Sequence, residues 1–159
     1  MAKKGFTLIE LLIVISIIAI LASVVFVALD PLKRFQDARN SSRWTDITSV
    51  VSAIKVYQVD NSGSYPTTVG SMTAATPYMI GDTGCSNTCS AQTITSGNCL
   101  NLTELVTDGY LGKVPISPNA SGSSWTSTTT GYALTKYTTG LITVVACDAE
   151  NDESISVSK

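Results

Sequence analysis

No histidine occurs among the 159 residues of the chain. The commonest general base and the commonest metal ligand of proteins are therefore both absent. Also missing are a thiol paired with a base, a Gly-x-Ser-x-Gly nucleophile turn and a phosphate-binding loop. Charge is sparse, at 14% of residues, and the polar second half is acidic, a poor surface for neutralising phosphates. Nucleic acid is not expected as a partner, although Arg34, Arg39 and Arg43 lie close enough in sequence to form a basic patch. With so little catalytic equipment, the chain reads as a building block and not an enzyme.

What is present is unevenly distributed. From Leu8 to Leu29 the chain is almost wholly Leu, Ile, Val, Ala and Phe, whereas beyond Asp60 it is dominated by Ser, Thr, Gly and Asn. Residues 1–59 hold seven basic against four acidic side chains, and the remainder three against eight. As a helix, the apolar run from Leu8 to Leu29 is about 33 Å long at ~1.5 Å per residue, enough for one membrane span. A secretory signal peptide has a shorter apolar region and a small-residue cleavage site, and no good Ala-x-Ala site follows here. Retention of the segment is expected. Glu10 stands inside the run, where an ionised carboxylate is unfavourable.

Four cysteines, Cys85, Cys89, Cys99 and Cys147, lie in the polar region. An even number beyond a membrane span predicts two disulfides formed in an oxidising compartment, with all three pairings open. The Cys85-x-x-x-Cys89 spacing also suits zinc, but no second close pair and no histidine completes such a site. The disulfides conflict with the charge pattern. Lys3 and Lys4 precede the span, while Lys33, Arg34, Arg39 and Arg43 follow it. Charge counting alone therefore leaves the C-terminal side in the cytoplasm.

After the span, Pro31 is expected to bend or loosen the helix. Ile47, Val50, Val51, Ile54 and Tyr57 then share one helical face, with Arg43, Asp46, Ser49 and Lys55 on the other. Asp60-Asn61-Ser62-Gly63 ends the helix. Residues 64–100 read as an irregular, cysteine-stapled connection with room for a short helix or strand. Leu100–Tyr110 reads as a short helix, and Gly131–Tyr137 and Leu141–Ala146 as a hairpin turning at Thr138-Thr139-Gly140. The tail from Asp148 is either an edge or loose. The predicted class is α+β.

The stretch Gly5-Phe6-Thr7-Leu8-Ile9-Glu10-Leu11-Leu12, behind Lys3 and Lys4, resembles the prepilin signature of type IV pilins and type II secretion pseudopilins. The stretches 110–122, 130–137 and 140–147 also resemble the head region of class-a pilins and major pseudopilins. The resemblance implies a pilin fold. In it the apolar half of a long N-terminal helix protrudes, and the amphipathic half packs on a small antiparallel sheet. It implies a leader (1–5), a transmembrane or filament-core helix (6–30), an amphipathic continuation (31–60) and a disulfide-bearing extracytoplasmic head (61–159). A prepilin peptidase would cleave after Gly5 and methylate the new amino group of Phe6. Glu10 would serve subunit addition and register, and the head would lie outside, which settles the orientation in favour of the disulfides.

The expected function is that of a type IV pilus subunit in a helical surface filament, anchored in the cytoplasmic membrane before assembly. The resemblance also implies an inner-membrane assembly platform with a cytoplasmic ATPase, and minor pilins, as partners. The alternatives are a major pseudopilin of a type II secretion system and a membrane-anchored binding protein that never polymerises. No cofactor is expected for a pilus subunit. In a pseudopilin, calcium is a candidate cofactor, with Asp148, Glu150 and Asp152 as weak candidate ligands in a tail without EF-hand spacing.

Overall fold

The computed structural model describes residues 5–85, 89–95, 97–120 and 122–159; residues 1–4 of the expected leader (1–5) lie outside the described residues. The chain divides into two compact units, Met1–Phe35 and Gln36–Lys159.

The first unit is dominated by helix α1 (Leu8–Leu29), none of whose residues is buried. Its N-terminus is set by Thr7, whose extended backbone and side chain cap the first turn. Its C-terminus is set by Asp30, held in the left-handed region at φ 36°. The cause lies one residue later, because a proline clashes with a preceding residue in right-handed helical conformation. Aspartate is among the few side chains that tolerate the left-handed alternative. Pro31 then opens helix α2 (Pro31–Asp60), at the position where its missing N–H costs nothing. The expected disturbance at Pro31 is thus an interruption at Asp30.

The second unit is built around α2 from Gln36 onward. Ile47, Val50, Val51 and Ile54 are fully buried, their spacing giving the apolar stripe that helix periodicity requires. After α2 come α3 (Thr67–Gly70), β1 (Pro77–Ile80), β2 (Cys99–Leu100), α4 (Thr103–Thr107), β3 (Tyr132–Lys136), β4 (Ile142–Ala146) and β5 (Ser156–Ser158). The sheet order is β2-β1-β3-β4-β5. The expected hairpin is present as β3 and β4, paired from Tyr132 with Ala146 to Lys136 with Ile142. The tail supplies an edge strand, β5, antiparallel to β4. The region expected to be irregular contributes α3, β1 and β2. The helix expected over Leu100–Tyr110 is confined to α4, because Leu100 is drawn into the sheet beside Ile80.

One expectation needs correction: the sheet is mixed, not wholly antiparallel. β1 and β2 run parallel, pairing Met79 with Cys99 and Ile80 with Leu100. Parallel neighbours need a long crossover, and the segment between Ile80 and Cys99 provides one.

Both faces of the sheet are covered. Tyr132, Leu134, Val144 and Ala146 join the helix stripe in the main core, together with Leu100, Leu102 and Leu105. Residues one position out of phase, Met79, Ala133 and Val145, point to the other face and pack with Cys85, Ile94 and Cys147. Alternation along a strand makes these two sets distinct. The helix covers one face and the cysteine-bearing crossover covers the other.

Candidate assembly site

Around the predicted processing point, Gly5, Phe6 and Thr7 have no regular secondary structure and are exposed. Phe6 is 86% exposed, and a side chain built at Gly5 would meet nothing within 4 Å. Thr7 and Glu10 form a reciprocal capping box at the start of α1. The Thr7 amide donates to Glu10 Oε2 at 2.8 Å, and the Thr7 hydroxyl donates to the same oxygen at 2.8 Å. The Glu10 amide donates to Thr7 Oγ1 at 3.3 Å. These bonds satisfy amides that the helix itself leaves free, and they place an acid where the helix dipole favours one. Beyond Glu10, α1 exposes Leu11, Leu12, Ile13 and most of the large apolar side chains that follow.

The second concentration of polar chemistry joins α2 to the loop after β4. Arg43 is fully buried and Asn40 is 2% exposed, which corrects the expectation that Arg43 occupies the solvent side. Arg43 donates through Nε to Ser117 Oγ at 3.1 Å, and through Nη1 to Asn40 Oδ1 at 2.8 Å and Glu150 Oε2 at 3.0 Å. Its Nη2 donates to the Pro118 carbonyl at 3.0 Å. Arg39 grips the same carboxylate with two bonds, from Nε at 2.7 Å and Nη2 at 2.5 Å. Asn40 donates to the Glu150 carbonyl and to Glu153, and accepts from the Glu150 amide. Hydrogen bonding from Arg39 holds the Glu150 carboxyl below the usual carboxylate range, against the upward pull of burial, and Arg43 adds to the lowering. Nearby, burial and then the hydrogen bond to Asp46 push the Tyr132 phenol up.

The remaining predicted residues are placed as follows. Asp148 accepts a hydrogen bond from Ser123. Asp152 sits at φ 55° in the turn beyond Glu150. Among the described residues, no three His, Cys, Asp or Glu side chains are arranged to hold a metal ion. The structure chooses one cysteine pairing, Cys85–Cys99 and Cys89–Cys147. The second bond ties the crossover to the end of β4, and the Ser90 hydroxyl bonds the Cys147 carbonyl beside it.

Two features were overlooked in the sequence. Thr7-x-x-Glu10 ahead of an apolar run is itself a helix-start signature. Asn40 and Arg43 continue the spacing of Ile47, Val50 and Ile54, so the buried face begins about two turns before its apolar residues do.

Residues 1–26 match the family model described as the prokaryotic N-terminal methylation motif. The motif stands ahead of an apolar helix and an α+β head. A more particular likeness is to type II secretion system core protein G of Vibrio cholerae serotype O1, at 42% identity over 66 residues. That stretch covers 42% of this chain and 43% of the relative, so the match spans less than half of either. No solved structure matches the chain.

Proposed function

We propose that the chain is the structural subunit of a type IV pilin-like filament, cleaved after Gly5, methylated at Phe6 and polymerised through α1. The observation that carries this reading is a 22-residue helix with no buried residue that begins inside a methylation motif matched over residues 1–26. An exposed apolar surface of that extent marks an interaction site. Lipid covers it before assembly, and the same segments of neighbouring copies cover it afterwards. In that water-poor core an unpaired carboxylate is unfavourable and a paired one is tolerated. The Phe6 amine of a neighbouring copy is the partner for Glu10, and only the correct axial offset satisfies both charges. The reading requires a prepilin peptidase, an inner-membrane platform with a cytoplasmic ATPase, and minor pilins. It places the head outside the cytoplasmic membrane and gives the chain no catalysis of its own.

The first form of this reading is a surface pilus. The second, favoured by the likeness to core protein G, is the major pseudopilin of a type II secretion system. Long surface filaments without a calcium response support the first. A calcium-dependent rise in melting temperature without long filaments supports the second.

Intact-mass measurement on protein from its native host tests the shared reading. The expected product begins at N-methylated Phe6; a product beginning at Met1 refutes it. Glu10→Ala should be cleaved like the parent yet give fewer filaments, and an unchanged yield removes the register role.

A further inference from the structure

Four basic residues follow the span on the side that carries the disulfides, against the usual charge bias. The structure divides them into two pairs. Arg39 and Arg43 are spent on Glu150. Lys33 and Arg34 are exposed, and among the described residues neither side chain has a hydrogen-bond or ion-pair partner. Both belong to the first unit, which ends at Phe35. Leu32 and Phe35, three residues apart and so on one helical face, are each 65% exposed. This turn of helix therefore has an apolar side and a basic side, the composition of a segment lying in a membrane interface.

Depth agrees with composition. Helix α1 (Leu8–Leu29) matches the ~30 Å hydrocarbon layer. Lys33 and Arg34 follow Leu29 by four and five positions, or about 6–9 Å of chain with the one non-helical residue Asp30 between them. The headgroup zone occupies roughly that distance on each side of the hydrocarbon. Asp30, between them and the span, has its carboxylate turned to the Lys33 backbone amide at 3.4 Å, as a cap for α2.

We propose that Lys33 and Arg34 bind the phosphate groups of anionic phospholipids in the outer leaflet of the cytoplasmic membrane, with Leu32 and Phe35 seated in the interface. The clamp sets the depth of the subunit before it is extracted into a filament. The proposal rests on the reading of α1 as a membrane anchor. It explains why cations stand on the unfavoured side of the span: they are neutralised by lipid there.

The test uses the full chain in bilayer nanodiscs of equal phosphatidylglycerol and phosphatidylcholine, with retained lipid counted by native mass spectrometry. The expected result is a preference for phosphatidylglycerol of about fivefold per cation, following the usual worth of a basic residue at an anionic surface. Lys33→Gln with Arg34→Gln should lower the preference by the share of both cations, leaving only that of Lys3 and Lys4, while the melting temperature of the head stays unchanged. Equal retention of both lipids by the parent chain, or an unchanged preference in the double variant, overturns the proposal. A double variant that keeps the lipid preference but forms no filaments assigns the cations to a neighbouring copy, which also overturns it. Extraction of the parent chain from membranes by alkaline carbonate refutes the anchor reading itself, a result distinct from the absence of a lipid preference.

Discussion

Replacing Arg43 with methionine isolates the polar contribution of the buried cluster. Methionine is unbranched and adaptable enough to occupy much of the arginine channel, so the loss is chiefly one of hydrogen bonds and charge. The change strips donors from Ser117 Oγ, Asn40 Oδ1, Glu150 Oε2 and the Pro118 carbonyl. Glu150 keeps Arg39 and is not left as an isolated charge, so the expected cost lies at the lower end of the ~3–5 kcal/mol seen when buried pairs are broken. The unit Gln36–Lys159 has an unfolding entropy of about 0.26 kcal/mol/K at ~2.1 cal/mol/K per residue. A loss of about 3 kcal/mol then lowers the melting temperature by ~12 °C. Thermal unfolding of the full chain in detergent, followed by near-ultraviolet circular dichroism, measures the shift. A fall of less than about 4 °C, equivalent to ~1 kcal/mol on the same scale, would refute the claim that this cluster holds the loop after β4 to α2.

The same cluster sets a pH dependence. Because the Glu150 carboxyl is held below its ordinary value in the folded chain, its contribution is fully present above the unfolded value of about 4.3 and is lost as pH falls through the folded value. The melting temperature should therefore drop on acidification below about pH 4, and Glu150→Gln should begin lower and respond less; identical slopes would contradict this. Cys89→Ser with Cys147→Ser opens a link spanning 58 positions, and chain entropy predicts a loss of about 4 kcal/mol, readable as a fall in denaturation midpoint. The smaller 14-position link, Cys85–Cys99, should cost about 3 kcal/mol on the same basis. The reverse order would show that loop closure does not govern how much each bond stabilises the head.

The elements written in hydrophobic period were readable without the structure. The apolar helix follows from composition, and the stripe from Ile47 to Ile54 and the β3–β4 hairpin from local helix spacing or alternation, which neighbouring residues determine. Other features depend on partners distant in sequence. Arg43 reads as a solvated residue until Ser117, Pro118 and Glu150 arrive from the far end of the chain. Cysteine pairing was open because it follows from β2 lying parallel to β1, which brings Cys99 back beside Cys85. Two-residue β2 is too short to announce itself by pattern. The motif at Glu10 is legible as a residue pattern, and Thr7 stands at the spacing that produces its hydrogen bonding.

The left-handed residue at Asp30 has a mechanical consequence. Helical order propagates cooperatively along a chain, so a disturbance in one turn ordinarily spreads to the next. Here the amides of Lys33 and Arg34 are met by the Asp30 side chain and carbonyl, not by a continuing ladder from α1. The second helix thus carries its own starting point. Asp30 is a firebreak: any turn lost near Leu29 would stop there, leaving the register of Ile47, Val50 and Ile54 against the sheet undisturbed.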